Sequence, residues 1–255
     1  MILDLKKLKD VYNNCREYLD NDFEEAAFSN DKELPPNGRL WELAFCDFLI
    51  RNNYSIVKAT AYKNINRPDF CLENSKGNRI WVELVCPEAG ERLAPEDCEI
   101  KTETYIIDRK KSWNTYIDTI TGAIKKKNEQ FIKFSECKKS DHKEGDMFLL
   151  GINVCNLGTD FEERGIMDLV LKGKDLPKIT REGFLSTQEK IEVFKKIRDP
   201  KKSLELNVNL FNDTTYEYLE GVFCCYDVFP NINLNLDSLN FYTKDDGFSL
   251  EHYKE

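Results

Sequence analysis

Apolar residues in the first part of the chain recur at helical spacing. The segment 1–36 shows this spacing from Leu5 to Tyr12 and is predicted to be a helical lead-in. Residues 40–50 read LWELAFCDFLI, with only two polar side chains, which predicts a helix that is buried on nearly all sides. One of the two is Glu42, an acid that needs a partner or a metal in such surroundings.

Shorter apolar runs after this helix are typical of strands, and one long run is helical. Strands are predicted at 54–62, 69–73, 78–86 and 147–155, with a helix over 102–136 before the last of them. The C-terminal part is predicted to hold a helix at 187–198 and strands near 204–211 and 220–228. This alternation favours an α/β fold with three parts: the lead-in 1–36, a core over 37–155 and a C-terminal elaboration over 156–255 packed on the core.

The segment Asn-Ser-Lys-Gly-Asn at 74–78 joins two of the predicted strands and is typical of a β-hairpin turn. A three-residue loop with Gly77 in the left-handed region closes such a hairpin. Counting outward from it gives the pairs Asn74–Asn78, Glu73–Arg79, Cys71–Trp81 and Asp69–Glu83. The two acids of the last pair then have Cβ atoms about 4.5–5.5 Å apart, where like charges repel unless a cation binds both. Splayed, solvent-facing acids are the alternative interpretation.

The long predicted helix carries an apolar stripe with one lysine inside it. The members of the stripe are Ile117, Ile120, Ile124, Phe131 and Phe134. Lys127 lies within the stripe, and Gln130 lies one turn away on the same side. An inward lysine commonly extends along the apolar surface to solvent. Here the lysine and the amide are also directed toward the sheet that carries the acid pair.

Composition narrows the class of protein. The 255 residues have a formal net charge of −9, a pI near 5.1 and a mean hydropathy of −0.56, which disfavours a protein that coats nucleic acid through bulk charge. No apolar run is long enough to span a membrane, and the N-terminus lacks the apolar core of a secretory signal. Nine cysteines without a CxxC motif, and only two histidines, favour reduced, packed thiols over zinc. We therefore expect a cytoplasmic protein that makes no membrane contact.

Positive charge is concentrated in one stretch. Residues 101–139 contain ten Lys or Arg against five Asp or Glu, in and around the long helix. Aromatic residues are interleaved with them: Tyr105, Trp113, Tyr116, Phe131 and Phe134. Aromatic side chains among basic ones are able to stack on nucleic-acid bases, although aromatics at helical spacing more often belong to the core and a charge run is more often a solvated face.

These residues, in this order, resemble the PD-(D/E)xK nuclease superfamily. The matching segments are GRLWELAFCDFL, then Pro68-Asp69, then Glu83 in IWVELVCP, and Gln130-x-x-x-Phe134, which looks like the Q-x-x-x-Y signature of RecB-type members. The stretch over 37–155 is also similar to a group of bacterial restriction-endonuclease-like proteins. The resemblance implies a mixed central sheet flanked by helices, with a C-terminal elaboration. One departure is that Val85 stands where the superfamily has its lysine.

The resemblance also implies a metal-dependent endonuclease that hydrolyses phosphodiester bonds, with DNA favoured over RNA as substrate. Asp69, Glu83 and the backbone carbonyl of Leu84 are the implied ligands of Mg²⁺ or Mn²⁺. Glu42 is implied to orient a bound water or to complete the shell of a second metal. As catalytic residues, Lys127 replaces the lysine missing at position 85, and Gln130 positions a water or the backbone.

Two other functions remain open from the sequence. A catalytically degenerate module of the same fold is favoured by Val85, and it binds a protein partner or nucleic acid through the acidic segment 88–99 and the acidic tail; a homodimer is a further possibility. A glycosidase is the third reading, because two carboxylates about 5 Å apart suit a retaining mechanism. No additional motif supports that third reading.

Overall fold

The structure is a computed structural model of the chain. It describes residues 5–20, 22–29, 34–58, 67–87, 105–154, 163–173, 178–180, 183–185, 193–199, 202–225, 234, 238–244 and 248–254. Only the backbone is described for 105–116, 118, 163–164 and the strands between 178 and 207. The acidic segment 88–99 lies outside the described residues, as do the side chains at the start of the basic stretch, over 101–116.

Five helices and nine strands alternate along the described chain. The helices are α1 (Leu5–Cys15), α2 (Phe23–Phe28), α3 (Asn37–Arg51), α4 (Tyr105–Ser135) and α5 (Glu163–Lys172). The strands are β1 (Phe70–Glu73), β2 (Arg79–Val85), β3 (Met147–Asn153), β4 (Lys178–Thr180), β5 (Gly183–Leu185), β6 (Val193–Asp199), β7 (Lys202–Asn207), β8 (Leu219–Cys225) and β9 (Leu239–Thr243). Short 3-10 turns occur at Leu210–Asn212, Thr214–Tyr216 and Leu250–Tyr253.

Five of the strands form one mixed sheet in the order β1-β2-β3-β8-β9. β2, β3 and β8 are parallel to one another, and the outer strands β1 and β9 are antiparallel to their neighbours. Parallel neighbours need a crossover connection, and α4 supplies the one between β2 and β3. The predicted α/β class is therefore confirmed, with a mixed sheet flanked by helices.

The chain divides into two compact units. One comprises Met1–Cys86, Lys127–Cys155 and Tyr218–Glu255, and it holds the five-stranded sheet with α1, α2 and α3. The other comprises Pro87–Lys126 and Asn156–Glu217, and it holds α5 and two antiparallel strand pairs, β4–β5 and β6–β7. The boundary between them falls within α4. The sequence boundaries predicted at 36/37 and 155/156 follow composition rather than spatial contact, and they stay a prediction.

Helix α3 covers one face of the sheet. It begins after Pro36 and ends at Arg51, and its apolar residues other than Ile50 are buried, which confirms the helix predicted at 40–50. The rings of Trp41 and Phe45 lie 6.1 and 5.1 Å from the ring of Phe223 on β8. The indole N–H of Trp41 donates to the carbonyl of Gly151 on β3, with N and O 3.4 Å apart. This packing holds α3 against the centre of the sheet.

The C-terminal turns of α4 cover the opposite face. Phe131 stacks on Phe148 of β3 with ring centroids 4.4 Å apart, and Phe134 meets Trp81 of β2 edge to face at 4.8 Å. All five residues of the predicted apolar stripe of this helix are buried. The inward direction predicted for the stripe is confirmed, and the two phenylalanines belong to the core rather than to a base-stacking surface.

Two predicted elements differ from the structure. The predicted helix 187–198 is wrong over 193–198, which belongs to β6: Ile191, Phe194 and Ile197 fit a helical spacing, but pairing with β7 favours a strand. In the predicted strand 54–62, the described part makes only isolated antiparallel bridges, Tyr54 to Lys254 and Ile56 to Leu72. Helix α2 lies within the predicted helical lead-in, whereas helix α5 and strands β4, β5 and β9 were not predicted.

The cysteines match the expectation of packed thiols. None of the seven that the structure describes forms a disulfide, and five of them are buried: Cys15, Cys46, Cys71, Cys224 and Cys225. Cys98 and Cys155 lie outside the described residues. No helix in the described ranges combines the length and the apolar character that crossing a membrane requires.

Candidate functional site

The β1–β2 hairpin places two acids at one end of the sheet. Its turn has the predicted form, because Gly77 has φ +80° and the N–H of Asn74 donates to the carbonyl of Asn78 at 3.0 Å. The strand pairs are Glu73–Arg79, Leu72–Ile80, Cys71–Trp81 and Phe70–Val82. The predicted register is confirmed, and its next step places Asp69 beside Glu83.

Asp69 and Glu83 are held together by hydrogen bonds to each other's strands. The Asp69 carboxylate accepts a hydrogen bond from the N–H of Leu84 at 2.6 Å. The Glu83 carboxylate accepts one from the backbone N–H of Asp69. Side-chain contacts thus replace the ladder at this point, and β1 begins only at Phe70. Both acids are fixed at the mouth of the hairpin.

Lys127 reaches this acid pair from α4. Its ammonium group forms an ion pair with the Glu83 carboxylate. The two side chains are only 21% and 14% exposed, so the pair is shielded from solvent on most sides. Lys127 precedes Phe131 by one helical turn, and that ring is stacked on β3, so the core packing of α4 directs the lysine toward β2. The lysine therefore points to the sheet, as the sequence pattern predicted.

Glu42 joins the same region from α3, and its partner is Arg39 one turn earlier. Nη1 of Arg39 lies 2.7 Å from Oε2 of Glu42, and these side chains are 25% and 19% exposed. The charge of Glu42 is among the causes that raise the pKa of Asp69. The sequence expectation that this acid needs a partner is met by Arg39.

The electrostatics of the site show an excess of buried negative charge. Burial, then the charges of Glu83 and Glu42, raise the pKa of Asp69 well above its usual range. Burial also raises the pKa of Glu83 and of Glu42, although Lys127 and Arg39 oppose the effect. For Lys127, burial disfavours the charged form, but the Glu83 charge and hydrogen bond outweigh it and raise the pKa. The lysine is therefore charged at neutral pH.

A divalent cation is the group that the resemblance implies here, and the two buried acids fit it in ligand chemistry. Asp69 and Glu83 offer carboxylate oxygens, and burial raises the pKa of both carboxyls, an effect that a nearby cation opposes. In the part of the chain that the structure describes, no group of three or more His, Cys, Asp or Glu side chains is placed to hold a metal ion. Mg²⁺ sites commonly use one or two carboxylates with waters and substrate phosphates, and two carboxylates are what this pair offers.

Leu84 and Gln130 are the two remaining predicted site residues. Leu84, whose carbonyl was the expected third ligand, follows Glu83 on β2, and its N–H is the group that contacts Asp69. Gln130 lies within α4 and is partly buried. Its positioning role stays a prediction.

Arg39 and Asp20 were missed by the sequence reasoning. The i, i+3 spacing of Arg39 and Glu42 was a usable local signal for their ion pair. Asp20 follows α1, and its charge raises the pKa of both Glu42 and Glu83. No sequence spacing links Asp20 to the hairpin, so only the tertiary fold reveals its proximity.

Five described lysines in and just after the second half of α4 are exposed. They are Lys125, Lys126, Lys133, Lys138 and Lys139. They fit the predicted basic stretch, whose earlier side chains lie outside the described set.

No family model, no curated protein and no solved structure matches this chain. The superfamily suggested by the sequence therefore stays a proposal. What stands on the structure alone is a mixed α/β sheet with Asp69, Glu83 and Lys127 together at one end of its hairpin.

Proposed function

We propose that the chain is a divalent-metal-dependent nuclease of the PD-(D/E)xK type, that its α/β sheet is the restriction-endonuclease-like variety, and that its substrate is DNA rather than RNA. The observation that carries the proposal is the contact of Lys127 with Glu83 beside the partly buried Asp69. Val85, which carries no charge, stands where the superfamily has its lysine. Helix α4 instead brings an amine to the acid two residues before that position. Sequence motif and spatial arrangement thus support the same chemistry.

The acids are the groups that hold the ion in this proposal. Asp69 and Glu83 supply two carboxylates, the carbonyl of Leu84 is a further oxygen ligand, and Glu42 serves a bound water or a second ion. Mg²⁺ or Mn²⁺, when bound, polarises the phosphate and lowers the pKa of its water. Binding such an ion also relieves the repulsion between the buried carboxylates.

Lys127 acts as a charged group in the reaction rather than as a general base. Its pKa is raised by the acids around it, so the ammonium form persists at neutral pH. A fixed ammonium donates hydrogen bonds to the attacking water or to a phosphate oxygen, and it offsets the negative charge that grows on the phosphate in the transition state. The low exposure of the ion pair strengthens this effect, because little solvent screens it.

Cleavage of labelled DNA and RNA in the presence of Mg²⁺ or Mn²⁺ tests the proposal. We expect Asp69→Asn and Glu83→Gln to abolish cleavage, and Lys127→Met to reduce it by about 10²-fold or more, the usual effect of removing one stabilising donor. Glu129→Gln is the matched control, since Glu129 is an exposed acid on the same helix as Lys127. Circular dichroism spectra identical to wild type establish that the variants fold. Full cleavage by the folded Asp69 and Glu83 variants contradicts the proposal.

A degenerate, noncatalytic module is the second candidate, and one observation favours it. Lys127 already neutralises part of the charge of Glu83 without a metal, and the described residues include no three-ligand metal group. Calorimetric titration with Mn²⁺ separates the candidates. A nuclease gives heat that disappears in Asp69→Asn, whereas the module gives none in either protein and still binds its protein or nucleic-acid partner.

A further inference from the structure

We propose that Arg39 is a counter-ion of Glu42 that a divalent cation displaces, and that the released guanidinium then binds a phosphate of the nucleic acid. The inference rests on the proposed function, and it adds a substrate-positioning residue to the site. Arg39 precedes the matched acid by three residues and lies outside the metal ligands and catalytic groups described above. It would couple the loading of the metal to the binding of the substrate.

Arg39 already forms an ion pair with a carboxylate of the site. Its Nη1 is 2.7 Å from Oε2 of Glu42, the acid whose charge reaches Asp69. A cation bound by Asp69 and Glu83 would attract Glu42 and repel the guanidinium. Arg39 and the metal therefore compete for the same negative charge.

Arg39 remains held by other residues when the Glu42 side chain turns away. Its guanidinium lies over the ring of Phe23, with the guanidinium carbon 5.4 Å from the ring centroid. Phe23 is itself 1% exposed and stacked on Tyr12. The charges of Asp20 and Asp22 also act on Arg39. The lead-in thus keeps the guanidinium beside the site after its carboxylate partner is lost.

The released guanidinium of Arg39 is suited to binding a phosphate. A guanidinium presents a planar fork of donors that matches two phosphate oxygens, and stacking on a ring orients the fork in advance. The Arg39 side chain is 25% exposed, so an incoming ligand reaches it without unfolding of α3. By linkage, a metal that frees Arg39 strengthens substrate binding, and substrate strengthens metal binding by the same factor.

Calorimetric titration with Mn²⁺ tests the competition in wild type, Arg39→Met, Glu42→Gln and the double variant. We expect Arg39→Met to bind Mn²⁺ about fivefold or more tightly, the low end of coupling between two sites. In the Glu42→Gln background the same substitution changes nothing, because the competition acts through Glu42. Lys76→Met, which removes an exposed lysine of the hairpin turn, controls for the loss of a charge. Unchanged or weaker Mn²⁺ binding by Arg39→Met overturns the inference, and so does equal tightening in the Glu42→Gln background.

Fluorescence anisotropy of a labelled DNA duplex tests the release of Arg39. We expect Ca²⁺, used as a binding ion, to raise the affinity of wild type about fivefold or more, and Arg39→Met to lose most of that gain. Arg39→Lys keeps the charge but lacks the planar fork, so its gain is intermediate; this variant also serves if the methionine variant does not fold. A full Ca²⁺-dependent gain in a folded Arg39 variant overturns the inference and leaves the nuclease proposal intact. Absence of Mn²⁺ binding by wild type overturns both.

Discussion

Asp69 is a partly buried carboxyl beside two further acids, and its removal from water is the first cause of its raised pKa. A group whose pKa is higher in the folded chain stabilises the fold at low pH and loses that contribution as the pH rises through its folded pKa. In its ionised form Asp69 therefore weakens the metal-free protein. Two interactions oppose this effect: the charge of Lys127, and the hydrogen bond from the N–H of Leu84, which an asparagine side chain is also able to accept.

We accordingly expect Asp69→Asn to stabilise the metal-free protein at pH 8 by about 1 kcal/mol, or about 2–4 °C in Tm for a chain of this size. The gain should vanish near pH 3, where the carboxyl is protonated in both states. Thermal unfolding in EDTA at the two pH values measures it, with Glu129→Gln as the exposed control. A destabilised Asp69→Asn at pH 8 would show that the charge is already compensated in the folded chain.

At the scale of elements, β3 depends on a glycine where it passes under α3. A Cβ built on Gly151 lies 2.4 Å from the Phe223 ring and 2.5 Å from Cδ2 of Leu84. The end of the leucine side chain is able to move, but Phe223 is stacked on Phe45 at 5.1 Å and meets Trp41 on the same helix. A methyl group at position 151 therefore has no room unless the Phe223 ring or the Leu84 side chain moves.

We expect Gly151→Ala to destabilise the fold by about 1–3 kcal/mol, the usual cost of overpacking. Gly122→Ala is the matched control, because Gly122 lies inside α4 with no atom within 4 Å of its ideal Cβ, and alanine there should stabilise by up to about 1 kcal/mol. Urea unfolding of the two variants beside wild type gives both values. Equal stability of Gly151→Ala and wild type would mean that the Phe223 ring yields.

The elements that local chemistry determines were predictable from sequence. The loop with Gly77 sets the hairpin register, and that register alone predicts that Asp69 lies beside Glu83. The stripe of α4 likewise predicted the inward direction of Lys127. In both cases a spacing of a few residues carries the information.

Contacts between segments distant in sequence were not predictable. The approach of Asp20 to the acids depends on how the lead-in packs, and the strand formed by Val193–Asp199 depends on its pairing with Lys202–Asn207. Strand β9 pairs with β8 although its own sequence, LNFYT, is short and only partly apolar. Tertiary pairing overrides intrinsic preference at such places.

At the scale of the whole molecule, some titratable groups lower the stability of the fold as the pH falls, and others raise it. His142 contacts Phe131, Phe134 and Tyr218 edge-on, and its Nε2 is buried without a hydrogen-bond partner. Burial lowers the pKa of His142 below its usual value, although nearby aspartates oppose the effect. The carboxyls of the site, whose pKa values are raised, act in the other direction. As the pH falls, they gain protons in the folded chain before they do so in the unfolded chain.

His142 should therefore cost the protein stability in mildly acidic solution. Since its pKa is lower in the folded chain, the unfolded chain takes up the proton first, and the free energy of unfolding falls as the pH drops below 6.5 until the folded imidazole is protonated too. His142→Phe keeps an aromatic ring in the cluster and removes this titration, so we expect it to lose less stability than wild type between pH 7.5 and 5.5. Urea unfolding at the two pH values measures the difference, with the exposed His252→Asn as control. Equal losses in wild type and His142→Phe would show that the imidazole gains its proton without leaving the aromatic cluster.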